Sequence, residues 1–183
     1  KFAEGETAEQ IFRHMKDTYF TSNEKINLSI EIARRECQLL STIDYRHGYS
    51  LYVGIPFCPT TCLYCSFTSY AIGAYRKQVE AYVDSVIKEM EYVAEAHKSQ
   101  ILDSVYIGGG TPTTLEAEQL DRLITRLKEL FDFSTVQEFT VEAGRPDSIT
   151  RDKLRAGQTV FPRKSCRFCT GMVLPEFLSI LRP

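Results

Sequence analysis

The pattern of apolar and polar positions changes once along the chain, from a helical period to an alternation of strand and helix. Residues 8–19 carry one apolar stripe, and a second stripe follows a predicted capping box at Thr21 and Glu24. The second stripe includes Cys37, for which we predict a buried and unreactive thiol. This part of the sequence predicts a helical N-terminal extension over residues 1–47.

Over residues 48–156, short apolar runs alternate with longer stretches of helical period. In chain order we predict a strand at Leu51–Ile55, a helix at 74–97, a strand at Ile101–Ile107, a helix opened by a capping box at Thr113 and Glu116, a strand at Val136–Glu142 and a helix at Ser148–Arg155. Repeated strand–helix units of this kind indicate an α/β fold with a parallel sheet, either open or closed into a barrel.

The alternation stops after Ala156. Residues 157–183 contain three prolines and no clear apolar period, and the first run there that resembles a strand is Met172–Leu174. We therefore expect an irregular tail that lies outside the fold, as a shifted reading frame or a foreign end would produce.

Composition narrows the class of protein. A chain of 183 residues, 43% of them hydrophobic, is large enough for one soluble globular domain. The net charge of -2 predicts no basic surface for nucleic acid or an anionic membrane, and no apolar run approaches the ~20 residues of a membrane span. Six cysteines in so long and charged a chain do not resemble the disulfide framework of a small secreted domain. We expect a cytoplasmic protein that binds neither nucleic acid nor membrane.

The sharpest chemical signal is the spacing Cys58-x3-Cys62-x2-Cys65. Three thiolates on one short loop can each bind one iron of a four-iron cube and leave the fourth iron open, whereas electron-transfer ferredoxins close every iron with a cysteine. Structural zinc would need a fourth Cys or His at short range, and the nearest histidines are His47 and His97. Zinc, a small electron-transfer module or a chance cluster of structural cysteines are the alternatives. We assign no function to the second pair, Cys166-x2-Cys169.

Other candidate residues follow the predicted strands. Because the C-terminal ends of parallel strands meet at one edge of a sheet, the cysteine loop, the turn Gly108–Thr111 and Glu142 are expected to form one site. Each also has a purely structural interpretation: the glycines could form a tight turn, Tyr52 could pack in its strand, and Glu142 could cap the turn that follows it.

The motifs resemble a known family. The segment Tyr52-Val-Gly-Ile-Pro-Phe-Cys58-Pro-Thr-Thr-Cys62-Leu-Tyr64-Cys65 is similar to the signature of radical S-adenosylmethionine (SAM) enzymes, and most similar to that of the oxygen-independent coproporphyrinogen III oxidase and dehydrogenase family. Tyr106-Ile-Gly-Gly-Gly-Thr-Pro-Thr and Val141-Glu142 resemble the family's second and third motifs. The resemblance covers residues 48–156 and implies a partial radical SAM (β/α) barrel made of its first three βα units.

The resemblance implies two cofactors. Cys58, Cys62 and Cys65 would hold a [4Fe–4S] cluster, whose open iron chelates the methionine part of SAM and whose electron cleaves SAM to a 5′-deoxyadenosyl radical. The positions matched to SAM contacts are Tyr52, Tyr64, Gly109, Gly110, Thr111 and Glu142. No side-chain general acid or base is implied.

The same resemblance implies a reaction and its partners. The family removes hydrogen from the propionates of coproporphyrinogen III and releases CO2, which gives protoporphyrinogen IX in haem biosynthesis, with an electron donor such as flavodoxin or ferredoxin. Ser66 and Phe67 replace the Gly and Cys that follow the third cysteine in the best-established members, and this Phe also resembles the related haem chaperones. We expect an enzyme ahead of a haem-binding chaperone. We also expect this chain to be an inactive fragment, because the substrate-binding half of the barrel is not in it.

Overall fold

The structure is a computed structural model that describes residues 1–41, 43–44, 47–158 and 166–169. The chain divides into two compact units, Lys1–Arg46 and His47–Pro183. No helix among the described residues is both long and apolar enough to cross a membrane.

The first unit is helical. Helix α1 spans Ala8–Tyr19 and helix α2 spans Asn23–Leu40, after a short 3-10 helix at Phe2–Glu4. The apolar stripes of the two long helices meet in a small core, whose buried residues are Ile11, Ile26 and Ile30. Both predicted helices are therefore present.

Two sequence predictions about α2 are wrong. Its N-cap is Ser22, whose hydroxyl accepts a hydrogen bond from the backbone N–H of Lys25 at 3.4 Å, and not Thr21. Because Ser and Thr are both good caps, two adjacent candidates cannot be separated from sequence alone. Cys37 is exposed, not buried. No described residue of α2 after Ile30 is among the buried residues of this unit's core, so the apolar stripe extends beyond the packing that would bury it.

The second unit carries the sheet. Its strands are β1 (Gly48–Ile55), β2 (Phe57–Cys58), β3 (Tyr70–Ala71), β4 (Ile101–Gly109), β5 (Glu138–Glu142) and β6 (Cys166–Cys169). Its α-helices are α3 (Ile72–Tyr75), α4 (Val79–Ala96), α5 (Ala117–Leu130) and α6 (Arg151–Gln158), and 3-10 helices occur at Arg76–Gln78, Pro112–Thr114 and Pro146–Ser148. Strands β1, β4, β5 and β6 form a parallel sheet in that spatial order, and β2 pairs with β3 in a separate parallel pair.

The predicted α/β fold with a parallel sheet is confirmed. Alternate strand residues, Val105 and Ile107 in β4 and Phe139 and Val141 in β5, are buried in one core with residues of the helices. The helix residues of that core are Val79, Val83, Val86 and Met90 of α4 and Leu120, Leu123, Ile124 and Leu127 of α5. Strand alternation thus meets the helical stripes, as the two periods in the sequence require.

The start of α5 differs from the sequence prediction. Its N-cap is Glu116, which forms a reciprocal capping box with Gln119, so the predicted cap at Thr113 is wrong. Thr113 lies in the preceding 3-10 helix, where it is buried and its hydroxyl lies 2.6 Å from that of Ser148. Pro112, whose fixed φ suits the first position of a helical turn, explains why that short helix begins before the cap.

The predicted irregular tail is partly wrong. Strand β6 lies inside residues 157–183 and pairs in parallel with β5, from Phe139 opposite Cys166 to Glu142 opposite Cys169. The edge of β5 offers unpaired backbone N–H and C=O groups, which a short segment can pair with whatever its side-chain pattern. Residues 159–165 and 170–183, which include the predicted run at 172–174, lie outside the described residues.

Candidate cofactor site

Three segments with candidate chemistry come together at the C-terminal edge of the sheet. The last residues of β1 and β4, Ile55 and Gly109, are paired in register. A Cβ built on Gly108 would lie 3.1 Å from the carboxyl carbon of Glu142, the last residue of β5. Across this edge, the Cys58 sulfur lies 3.4 Å from the Thr111 hydroxyl. The cysteine loop, the glycine turn and Glu142 are therefore neighbours.

Backbone packing fixes the glycine turn. The N–H of Gly110 donates to the carbonyl of Ile55 at 2.7 Å, and the N–H of Thr111 donates to the carbonyl of Phe57 at 2.8 Å. A Cβ on Gly110 would lie only 2.6 Å from that Phe57 carbonyl oxygen, and Gly109 has a φ of 111°. Both positions need glycine for these reasons alone, because a side chain would collide or be strained. The turn is thus rigidly seated beside the cysteine loop.

The three cysteine side chains of the loop are free and partly exposed. Cys58 faces Thr111, whereas the Cys62 sulfur accepts a hydrogen bond from Nη1 of Arg145 at 3.4 Å. The backbone N–H of Cys65 donates to the Cys62 carbonyl at 3.1 Å, which forms a tight turn in the loop. Within the described part of the chain, no three Cys, His, Asp or Glu side chains are grouped as a metal site.

The donor set nevertheless fits an iron–sulfur cluster by its chemistry. Three accessible thiols within eight consecutive positions, none in a disulfide, match the thiolate ligation of such clusters. The Cys58 and Cys62 sulfurs have different partners here, the Thr111 hydroxyl and the Arg145 guanidinium.

Two tyrosines and Glu142 form an aromatic and acidic patch. Tyr52 of β1 stacks on Tyr106 of β4 with ring centroids 5.7 Å apart and planes 10° from parallel. The Tyr106 hydroxyl donates to Oε1 of Glu142 at 2.6 Å. Partial burial, and then the negative charge of Glu142, raise the pKa of Tyr52. Tyr52 remains largely exposed, so a ligand can reach its free face.

Tyr64 lies on the cysteine loop and is 91% exposed. A hydrogen bond to the Cys62 side chain, with the charge of that group, raises the pKa of Tyr64. Tyr64 thus lies beside Cys62, one of the candidate ligands. Among the described residues, no hydrogen bond joins Tyr64 to the glycine turn or to Glu142.

Sequence reasoning missed Arg145, which follows β5 in the turn Gly144-Arg145-Pro146. Besides Cys62, its guanidinium donates to the Thr60 hydroxyl at 3.3 Å and forms a two-armed ion pair with Asp147 at 3.0 and 2.7 Å. The hydrogen bonds and charge of Asp147, followed by Cys62, raise the pKa of Arg145. The sequence did offer one signal for Arg145: it is a cationic residue that lies shortly after the end of the strand that carries Glu142.

A buried polar network also escaped prediction. Lys153 of α6 is buried, and its ammonium donates to the backbone carbonyls of Thr113 at 3.0 Å and Ser148 at 3.3 Å. The Ser148 hydroxyl in turn donates to the carbonyl of Arg145 at 2.8 Å. These bonds join the segment after the glycine turn to the segment after β5, so the two loops of the site share one support.

The family follows from this architecture together with a sequence match. Residues 52–156 match the sequence model of the radical SAM superfamily, and this range includes the cysteine loop, the glycine turn and Glu142. The chain belongs to the radical SAM superfamily.

Similar proteins fall within a narrower group. The chain is 39% identical over 158 residues to the oxygen-independent coproporphyrinogen-III oxidase-like protein HemZ of Bacillus subtilis, a match to 84% of this chain and 32% of that protein. It is 40% identical over 98 residues to the heme chaperone HemW of Lactococcus lactis, covering 54% of this chain and 24% of that protein. The chain therefore spans about a third or less of the length of these relatives.

A solved structure agrees with these relatives. Coproporphyrinogen III oxidase (HemN) from Escherichia coli, a radical SAM enzyme, superposes with a TM-score of 0.54 and 30% sequence identity. The superposition covers 62% of this chain and 26% of that one. The fold is therefore a partial radical SAM fold that resembles the one in HemN.

Proposed function

We propose that this chain is the cluster- and SAM-binding part of an oxygen-independent coproporphyrinogen III oxidase or dehydrogenase. The observation that carries the proposal is the extent of the match to the HemZ relative. That match covers 84% of the chain, whereas the residues from His47 to Pro183 are 137 of 183, so it reaches into the helical unit. The matches to a relative named heme chaperone and to one named oxygen-independent coproporphyrinogen III oxidase cover similar shares, 54% and 57% of the chain. Similarity that reaches into the helical unit therefore supports the HemZ-like branch.

In this proposal Cys58, Cys62 and Cys65 hold a [4Fe–4S] cluster that leaves one iron open for SAM. The support is the donor chemistry: three free, accessible thiols on one loop, beside a turn that is rigid on its own. When bound, the two cofactors together supply a 5′-deoxyadenosyl radical that removes hydrogen from a propionate of the substrate.

The chain's other residues bind and orient SAM. Glu142 would pair with a charged end of SAM, and the hydrogen bond from Tyr106 holds one of its carboxylate oxygens in place. Gly109, Gly110 and Thr111 would present backbone groups and the Thr111 hydroxyl to the methionine part, and that hydroxyl lies 3.4 Å from the sulfur of the proposed cluster ligand Cys58. Tyr52 offers an exposed ring and Tyr64 lies beside Cys62, so both can pack against SAM near the cluster.

Substrate and electron donor belong to the proposal for the whole protein. The relatives named as coproporphyrinogen oxidases support a porphyrinogen substrate. By the resemblance to that family, a cytoplasmic flavodoxin or ferredoxin would supply the electron. We further propose that this chain alone is inactive on coproporphyrinogen III, because its matches to the HemZ and HemW relatives cover only 32% and 24% of those two proteins.

A second candidate function is haem binding without synthesis. The 40% identity to the chaperone of Lactococcus lactis favours it, as does Phe67 two residues after the third cysteine. Both functions use the cysteine loop, so the cluster alone does not separate them. The separating property is whether SAM is cleaved or haem is bound.

One experiment tests the proposal. The protein is reconstituted with iron and sulfide without oxygen, reduced with dithionite and supplied with SAM, and 5′-deoxyadenosine is measured by mass spectrometry. In parallel, haem is titrated and its Soret absorption followed. We expect 5′-deoxyadenosine from the unsubstituted protein and none from Cys62→Ala. A saturable Soret shift with no SAM cleavage would favour the chaperone function, and tetrahedral zinc with no iron uptake would contradict both.

A further inference from the structure

Among the residues that the structure describes, Arg145 is the only cationic side chain with a hydrogen bond to a cysteine of the loop. Its Nη1 reaches three acceptors of the loop: the Cys62 sulfur at 3.4 Å, the Thr60 hydroxyl at 3.3 Å and the Thr60 carbonyl at 3.5 Å. The contacts join residues 83 and 85 positions apart in sequence. Arg145 therefore fastens the cysteine loop to the end of β5.

Other residues fix the position of the Arg145 guanidinium. Asp147 binds its Nε and Nη2 at 3.0 and 2.7 Å, which fixes the plane of the fork. The backbone carbonyl of Arg145 accepts a hydrogen bond from the Ser148 hydroxyl. The backbone carbonyl of Ser148 in turn accepts one from the ammonium of the buried Lys153. An arginine anchored on both its side chain and its backbone keeps its remaining donors directed at Thr60 and Cys62 of the loop.

The three cysteines are not equivalent in this respect. The Cys58 sulfur faces a neutral hydroxyl, that of Thr111, whereas the Cys62 sulfur accepts from a cation. Hydrogen bonds and positive charge near a ligating sulfur offset its negative charge, and they set the reduction potential and stability of iron–sulfur clusters.

We propose that Arg145 is a positioning residue for the iron–sulfur cluster: it orders the loop at Thr60 and Cys62, and it favours the reduced cluster by placing a cation beside one ligand. This inference rests on the proposed function. Reduction adds one electron, taken from the external donor, and hence one negative charge to the cluster. A fixed cation beside the Cys62 sulfur stabilises that added charge.

The test uses Arg145→Gln, which removes the charge and the fork, and Arg145→Lys, which keeps the charge but not the fork. Arg126→Gln is the matched control, because Arg126 also forms ion pairs, with Glu91 and Glu129, but lies on α5. Two properties of the reconstituted protein are measured without turnover: the midpoint potential, followed by electron paramagnetic resonance, and the rate of iron loss to a chelator. Amide hydrogen exchange of residues 60–65 is measured on iron-free protein.

For Arg145→Gln we expect reduction to become about tenfold less favourable, a shift of about 59 mV to more negative potential for one electron. Iron loss should be about tenfold faster, and exchange in the loop faster, with Arg145→Lys intermediate and Arg126→Gln unchanged. Should Arg145→Gln not fold, Arg145→Lys decides by the same measurements. Potentials, iron loss and exchange equal to those of the unsubstituted protein would overturn the inference alone. Failure of the unsubstituted protein to take up iron would instead overturn the proposed function.

Discussion

The glycine turn and the cysteine loop lie at the same edge of the sheet, but they are built in opposite ways. At the end of the turn and just after it, Thr111, Thr113 and Thr114 are 4%, 0% and 6% exposed, and backbone hydrogen bonds fix the segment. In the loop, Leu63 and Tyr64 are 108% and 91% exposed, and side-chain contacts to Arg145 and Thr111 connect it to the rest. One half of the site is thus formed by the fold itself. The other half is an accessible loop that carries three free, partly exposed thiols.

The largest effect should come from filling the turn. Gly110→Ala places a Cβ 2.6 Å from the Phe57 carbonyl oxygen, and backbone atoms have to move to relieve the collision. We expect the free energy of unfolding to fall by about 3 kcal/mol, measured by urea denaturation of iron-free protein. Gly73→Ala is the control, because its Cβ would meet nothing within 4 Å. Equal stability of the two variants would contradict the account of a rigid turn.

A smaller loss should follow removal of the shared support behind both halves. Lys153→Met keeps an apolar stem of similar length but leaves the buried carbonyls of Thr113 and Ser148 without their ammonium donor. We expect a loss of about 2 kcal/mol in the free energy of unfolding. Lys88→Met, at an exposed position of α4, should change it by less than about 0.5 kcal/mol. If Lys153→Met left the free energy of unfolding unchanged, other bonds would have to join the two loops.

The sequence predicted the rigid half better than the accessible one. Strand ends, glycines and Glu142 follow from local periods and spacing, since β1, β4 and β5 each carry their candidate residues at the C-terminal end of the strand or within three residues after it. The Arg145–Cys62 contact joins residues 83 positions apart, and no local pattern reports it. Strand β6 escaped because backbone pairing with β5 needs no side-chain alternation. The N-caps of α2 and α5 were misplaced because several good capping residues stand within a few positions of each other.

The smallest effect concerns a single hydroxyl between the two halves. Tyr106→Phe removes the donor to Oε1 of Glu142 and leaves the stacking on Tyr52 possible. We expect SAM to bind about fivefold more weakly to the reconstituted protein, which corresponds to about 1 kcal/mol. Folding stability should hardly change, because both groups are accessible to water. Calorimetric titration gives the affinity, with the exposed Tyr92→Phe as control. An unchanged affinity would show either that Glu142 does not bind SAM or that its binding does not depend on the Tyr106 hydroxyl.

The central claim is that Cys58, Cys62 and Cys65 together hold one [4Fe–4S] cluster, and the iron content of single cysteine variants tests it most directly. After reconstitution without oxygen, the unsubstituted protein and Cys37→Ala should both bind about four irons per chain with the absorption of a [4Fe–4S] centre. Cys58→Ala, Cys62→Ala and Cys65→Ala should each lose that absorption while unfolding at the same urea concentration, since all three side chains are partly exposed. A full complement of iron in any one of these three variants would contradict the account.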